Sequence, residues 1–466
     1  MGIKFRDMND PLIPLLSRGA PVLVIGLGIS GISAANLLTR MGCAVEVSEK
    51  AKREDSMVDM SRLDPSITVH WGGHPAELFE RFPLIIISPG VPRDLEPLKM
   101  ADEKEAKVLG EMELAFRLTT VPWVAVTGSN GKSTTVTLLD LMAREDGLNI
   151  STGGNLGTPV TQFVDADEDP DFILAEVSSF QLETIETFRP MIAAMLNISP
   201  DHLDRHADVE EYVEAKRRIF SQMNENDLAV LNDDDDWIKR VTEDLSVGRF
   251  PFSRKHLLTK GAFVKEGWIV VRDGDDNFPV AATNSLALAG SHNVENALAA
   301  TAMAWKMGIE PGAMARVLQS FTGLEHRMEL LGYFRGVPVY NDSKGTNVGA
   351  TIRSLEGMGG NVILILGGKD KGTSYRPLGE VISRKASHLI LLGEAARRME
   401  EAFRGTADIV VVKDLDEAVR VAVQCARSGS EILFSPACSS FDMFSGFEER
   451  GRVFKEAARK YMGLAR

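Results

Sequence analysis

Cysteine is scarce: the 466 residues contain three, Cys43, Cys425 and Cys438, odd in number and far apart. That pattern excludes a disulfide framework and a cysteine metal cluster, and it fits a reducing compartment. Basic charge is in deficit as well. The formal net charge is −14, whereas a phosphate backbone needs a basic face, so nucleic acid is excluded as a partner. Single nucleotides held by local loops remain compatible with an acidic whole. No apolar run approaches the roughly 18 residues that span a bilayer, so no membrane association is expected. The opening MGIKFRDMND lacks the basic-then-apolar pattern of an export signal, and Arg6 stands where a myristoylation motif wants Ser or Thr. The expectation is a cytoplasmic protein.

What is present is an alternation. Short apolar, β-rich runs (PVLVIGLG, CAVEVSE, LIIISPG, WVAVTG, FILAEVSS, AAMLNIS, DLAVLN, then VPVYND, VILILGG, HLILLG, DIVVV, EILFSP) are separated by helical patterns. Continuous apolar strands between helices are the signature of parallel sheets buried on both faces, which predicts an α/β protein. A length of 466 residues at about 150 per domain suggests roughly three domains. We expect domains at 1–110, 111–323 and 324–466, the outer two Rossmann-like and the central one like a P-loop ATPase. The acidic run at 233–236 reads as a solvated turn ahead of a helix at Trp237.

Two glycine-rich turns carry the chemistry. In VLVIGLGISGISAANLL a strand runs into Gly26, Gly28 and Gly31, and a helix follows. Such glycines permit a tight turn and let a phosphate approach the helix amino terminus, with Glu49 after the next strand where a ribose-binding carboxylate would lie. NAD, another diphosphate such as a UDP-sugar, or a close-packed turn with no ligand all satisfy this pattern. In VAVTGSNGKSTT the strand predicted over 121–127 delivers Gly128, Ser129, Asn130, Gly131, Lys132, Ser133 and Thr134 to a helix start. Backbone N–H groups there would cradle phosphates, Lys132 would neutralise charge, and Ser133 or Thr134 could ligate magnesium. The loop has two residues between its glycines where the full pattern has four, and Val126 takes the place of the first glycine.

This short loop resembles that of the Mur ligases and folylpolyglutamate synthetases, ATP-dependent enzymes that join an amino acid to a carboxylate. GGNLG at 153–157, AEVSSFQLE at 175–183, NISPDHLDRH at 197–206, GSHNVENALAA at 290–300, EHRME at 325–329, NDSKGTN at 341–347 and SPACSSFDMFSGFEERG at 435–451 follow in the order of the Mur ligase family. Together they cover nearly the whole chain. EVSSFQLE and NDSKGTN are similar to the branch that adds D-glutamate to UDP-N-acetylmuramoyl-L-alanine in peptidoglycan precursor synthesis. VSEK at 47–50 differs from members that have aspartate followed by threonine there.

The resemblance implies a set of roles. Gly28, Ile29, Ser30, Glu49, Ser88, Pro89 and Gly90 would hold the UDP precursor, together with Asn155 and His202. The loop residues would hold ATP, with Asn296, Arg327 and Asp342 around its base, phosphate and ribose. Two magnesium ions are implied, on Ser133 or Thr134, Glu176 and His202, with Lys216 as an anionic ligand if carbamylated. Lys132, Asn155, His202 and Lys216 would be the catalytic group. D-Glutamate would meet Lys344, Thr346, Lys371, Ser440 and Phe447. The family also implies a monomer. His202 and His206 at four-residue spacing could instead suggest zinc, but the adjacent glutamate of the HExxH pattern is missing. Cys438 has no histidine partner in any visible pattern and reads as packing.

Overall fold

The structure is a computed structural model and describes residues 4–55, 58–155, 157–166, 169–200, 205–288, 290–370 and 372–464. The chain divides into two compact units: Met1–Ile198 with Val213–Phe321, and Ser199–Tyr212 with Thr322–Arg466.

The first unit begins with β1 (Pro21–Ile25), β2 (Ala44–Glu49), β3 (Thr68–Trp71), β4 (Leu84–Ile87) and β5 (Lys107–Gly110), parallel in the order β3-β2-β1-β4-β5. Its strands are apolar on both faces because both faces are covered. Val22, Val24, Leu84 and Ile86 belong to one buried cluster, while Leu23, Ile25, Ile85 and Ile87 belong to another. Strand order reverses at β1/β4, and a ligand crevice is expected outside the carboxyl ends of such a pair. The two segments that leave there contain Gly26–Ser30 and Ser88–Gly90.

The second sheet of this unit is also parallel. It comprises β6 (Trp123–Thr127), β7 (Ile150–Gly154), β8 (Phe172–Glu176), β9 (Ile192–Met195), β10 (Leu228–Leu231) and β11 (Gly248–Arg249), in the order β11-β10-β9-β6-β8-β7. All five residues of β6 are buried. Register places Gly154 opposite Glu176, Glu176 opposite Val126, and Val126 opposite Ala194. The ends of four neighbouring strands therefore open on one edge.

The expectation of parallel sheets misses one element. Strands β12 (Phe252–Ser253), β13 (Gly261–Lys265), β14 (Trp268–Asp273) and β15 (Asp276–Ala282) form a separate sheet in which β13-β14-β15 is an antiparallel meander. Its sequence signal was local. Glu266-Gly267, at φ 51° and 78°, supplies the two positive-φ residues that a tight hairpin between β13 and β14 requires.

The second unit holds β16 (Glu329–Phe334), β17 (Val337–Asn341), β18 (Val362–Gly367), β19 (Ala386–Leu392), β20 (Asp408–Val411) and β21 (Glu431–Phe434). Their order is β16-β17-β21-β18-β19-β20, with only the edge strand β16 antiparallel. Alternate residues of β18 face different cores, Ile363 and Ile365 in one, Val362, Leu364 and Leu366 in the other. The α/β architecture is thus that expected.

The acidic run differs from its reading as a solvated turn. Asp235 does cap the helix Asp236–Val241, but its Oδ2 also accepts from Ile198 N (2.9 Å), and Asp234 accepts from Ser253 Oγ (2.7 Å) and Arg254 N (2.8 Å). These carboxylates tie the segment after β9, and β12, to the start of the helix rather than dissolve in solvent.

Candidate functional site

At the first crevice, Gly26 has φ 89°, a conformation that favours glycine. A Cβ on Gly31 would lie 1.9 Å from Gly26 O, so the helix Ile29–Arg40 starts packed against the turn itself. Glu49 Oε2 accepts from Leu27 N (2.7 Å) and Oε1 from Ala51 N (2.9 Å); Ser88 Oγ donates to Gly26 O (3.1 Å). Glu49 and Ser88 therefore shape the turn. Gly28 and Ile29 remain exposed at its rim, with Ser30 half-buried. Ser48 Oγ, hydrogen-bonded to His74 Nδ1 at 2.8 Å, stands behind the same turn and was not singled out in the sequence.

The phosphate loop follows β6. Gly128 (φ 148°) and Gly131 (φ 86°) turn the chain into the helix Lys132–Glu145. A Cβ at Gly131 would come 2.1 Å from Asn296 Oδ1, which places Asn296 directly against the loop. Lys132 Nζ donates to Gly128 O (2.7 Å) and Ser129 O (3.1 Å), and the fully buried Lys216 donates to Gly128 O at 3.1 Å. Two ammonium groups thus converge on one loop, an electrostatic setting for anionic phosphate. Ser133 and Thr134 are buried in the first turn of the helix, and Glu176 is buried at the end of the strand beside β6.

Two hydroxyls and a hard carboxylate are oxygen donors of the type magnesium takes, beside a helix amino terminus whose N–H groups suit phosphate. Asn155 Nδ2 donates to Glu176 Oε1 (2.8 Å), so the expected acyl-phosphate residue and the expected metal ligand are neighbours. One residue of this site was quoted in a motif but given no role. Asn197 accepts from Ser129 N through its backbone O and from Asn130 N through Oδ1, and its Nδ2 donates to Asn130 O, all at 2.9 Å. It acts as a template for the loop.

In the second unit, Asp342 and residues 343–347 follow β17, residues 435–440 follow β21, and Gly368 and Lys369 follow β18. All leave the carboxyl ends of adjacent strands. Asp342 is buried and accepts from Ser354 Oγ and Ser435 Oγ, each at 2.7 Å, and from Met328 N at 3.2 Å. Burial pushes its carboxyl above the usual range, against the pull of those bonds and of Arg327. Lys344 Nζ lies 5.4 Å from the Phe447 ring centroid, Phe447 O accepts from Ser343 Oγ (2.8 Å), and Ser440 is buried. Thr346 is half-buried in the same loop.

The organiser of this group is Arg450, 1% exposed, which sequence reasoning did not single out. Its guanidinium donates to Ser343 Oγ and O and to the carbonyls of Cys438 and Ser439, at 2.7 to 3.1 Å. Burial lowers its pKa to about 10.

His202 and Lys371 lie outside the described residues. His206 is buried against Tyr212 with ring centroids 5.4 Å apart. Among the described residues, the one group of three potential metal ligands is Glu325, His326 and Glu329. Lys455 Nζ already bonds Glu325 (2.8 Å) and Glu329 (2.6 Å), so an ammonium holds the place of a cation. No helix among the described residues is long and apolar enough to cross a membrane.

Three family models match successive parts of the chain. A family model described as Mur ligase MurD-like, N-terminal domain matches residues 20–110; the Mur ligase middle domain matches 126–304; and the Mur ligase, glutamate ligase domain matches 326–438. The chain is 41% identical over 452 residues to a protein of Geobacter sp. (strain M21), covering 95% of this chain and 98% of that one. It is 42% identical over 444 residues to one of Koribacter versatilis, with the same coverages. Both are named UDP-N-acetylmuramoylalanine--D-glutamate ligase. Among solved structures, the fold is shared with a pseudomurein peptide ligase type C from Methanothermus fervidus (TM-score 0.60, 20% identity, 95% of this chain and 99% of that chain). It is shared also with MurF ligase from Thermotoga maritima in complex with ADP (TM-score 0.58, 15% identity, 94% and 95%). On three matching domains and full-length relatives at this identity, the chain belongs to the Mur ligase family.

Proposed function

We propose that this enzyme adds D-glutamate to UDP-N-acetylmuramoyl-L-alanine at the expense of ATP, in peptidoglycan precursor synthesis. The observation that carries the reading is the 41% identity, over 95% of the chain, to a ligase named for this reaction. In this reading residues 1–110 receive the UDP precursor, 111–323 bind ATP, and 324–466 bind the amino acid. The protein works as a cytoplasmic monomer.

A carboxylate is a poor electrophile because an amine forms a salt with it at neutral pH. Attack of the alanyl carboxylate on the γ-phosphorus of ATP breaks the bond to the β,γ-bridging oxygen, giving an acyl phosphate and ADP. The D-glutamate amine then attacks its carbonyl, and the tetrahedral adduct expels phosphate as the amide forms. The protein must hold two anionic partners in line and offset their charge. Lys132 moves from its loop carbonyls to the transferring phosphoryl group, and the N–H groups of residues 129–134 cradle the remaining phosphates. Asn155 orients the acyl phosphate.

Ser133 or Thr134 with Glu176, and His202 with a carbamylated Lys216, would hold two magnesium ions, which supply Lewis-acid charge neutralisation. Asn296, Arg327 and Asp342 contact the nucleotide. Lys344, Thr346, Lys371, Ser440 and Phe447 bind D-glutamate, whose two carboxylates require cations and hydroxyl donors. Gly28, Ile29, Ser30, Glu49 and Ser88 to Gly90 shape and line the diphosphate crevice, which has no need of NAD in this reading.

The test is mass spectrometry of the product formed from the precursor, ATP, magnesium and D-glutamate. The reading requires a product heavier than the precursor by one glutamate less one water. A product bearing only phosphate or no added group contradicts it.

A further inference from the structure

The parallel sheet that carries the phosphate loop has a second opening at its other end. A cavity of about 640 Å³ lies where Lys107, Pro122, Trp123, Met191 and Asp227 begin or precede their strands. The five residues of β6 separate it from the loop by roughly 15 Å at ~3.3 Å per residue. Its volume is within the range of small-molecule sites. Exposed Pro122 and half-buried Met191 give it an apolar wall, with Phe116 and Trp123 nearly buried behind them.

Its lining sets Arg6, Lys107, Arg117 and Arg189 against Asp7, Asp10, Glu186 and Asp227, and the pairing among them is uneven. Arg117 is committed to Glu113, Asp10 and Glu186, Lys107 to Glu186, and Arg189 Nε to Asp227 at 2.6 Å. Asp7 is exposed to solvent and accepts from Asn9 N. Arg6 has no carboxylate partner among the described residues. Its Nε and Nη2 donate to the carbonyls of Phe116 and Val121, and its guanidinium lies 4.2 Å from the Phe116 ring centroid. Arg6 Nη1 and Arg189 Nη1 make no hydrogen bond among the described residues, and both side chains line the cavity. Burial and, after it, repulsion by Arg189 hold Arg6 down at about 10. An anion between the two would relieve both penalties.

We propose that this cavity is a ligand site separate from the substrate sites, and that it takes an oxyanion, carboxylate or phosphate, borne on an apolar body. The oxyanion accepts from Arg6 and Arg189 while the body lies against Pro122 and Met191. Neither arginine belongs to the catalytic machinery.

The test is calorimetric titration of the whole enzyme with 2-naphthoate, 2-naphthyl phosphate and the neutral 2-naphthol, with saturating ADP and UDP precursor present throughout. The proposal expects one site for at least one anion, binding it at least tenfold more tightly than 2-naphthol; which anion binds identifies the headgroup. It expects that affinity to fall at least tenfold in Arg6→Met and in Arg189→Gln, with turnover in the absence of naphthyl compounds unchanged. Two variants are used because Arg6 also holds loop carbonyls. Absence of anion binding, equal binding of 2-naphthol, or unchanged affinity in both variants overturns it.

Discussion

A half-buried lysine and a buried arginine carry most of the local argument at the scale of residues. Lys132 converges with Lys216 on Gly128 O; in the proposed mechanism, removal of its charge leaves the phosphoryl group without its mobile counter-ion. Lys132→Ala is expected to lower turnover by at least ~100-fold, as loss of a transition-state donor does. Phosphate release measured alongside thermal stability checks this; a folded variant with near-normal turnover contradicts it. Arg450 makes four hydrogen bonds that gather Ser343, Cys438 and Ser439. Arg450→Lys keeps the charge but loses the fork. It is expected to raise the KM for D-glutamate more than that for ATP and to destabilise the protein by about 1–3 kcal/mol. Equal KM changes would reduce Arg450 to a structural role. The sequence displayed Lys132 because the loop is contiguous. Arg450, Asn197 and Glu111 were illegible because their partners stand 107, 67 and 50 positions away.

Elements are joined by side chains that the sequence pattern could not rank. Glu111 begins the helix after β5, and its Oε1 accepts from Thr161 N (2.8 Å) and Thr161 Oγ1 (2.7 Å), which in turn meets Ser33 Oγ at 2.7 Å. Oε2 has no hydrogen-bond partner among the described residues. Burial raises the Glu111 carboxyl to about 7. The folded state therefore binds more protons than the unfolded chain between the ordinary glutamate value and about 7. In this window stability falls as pH rises, by up to about 3 kcal/mol in total. Relative to Glu111→Gln, the wild type is expected to lose stability in urea unfolding between about pH 5 and about pH 8; a pH-independent gap would contradict the account.

The glycine turns are testable in the same way. Gly131→Ala demands φ 86° of an alanine and sets a Cβ 2.1 Å from Asn296 Oδ1. ADP affinity is expected to fall at least about tenfold, given strain of roughly 1–3 kcal/mol at such positions. Unchanged calorimetric affinity would show that Asn296 yields without consequence. Strands such as β6 and β18 were readable because unbroken apolar runs need cover on both faces. The β13-β14-β15 meander was not read, because a sheet of alternating polarity with charged turns resembles a loop when only buried runs are sought.

For the whole molecule, each of three parallel sheets opens its carboxyl edge on a glycine-rich or polar loop cluster, and the motifs fall at those openings. This much followed from order along the chain: strand, glycine turn, helix, repeated with different chemistry. Which amino acid is joined did not follow from spacing alone, since Lys344, Thr346 and Ser440 suit any dicarboxylate, and the choice rests on resemblance and on the relatives' names. Phosphate release by the purified protein with ATP, magnesium and UDP-N-acetylmuramoyl-L-alanine tests that choice most directly, with D-glutamate, L-glutamate, L-lysine, meso-diaminopimelate or no amino acid supplied in turn. The account predicts release with D-glutamate alone; release with another amino acid instead, or with none of them, contradicts it.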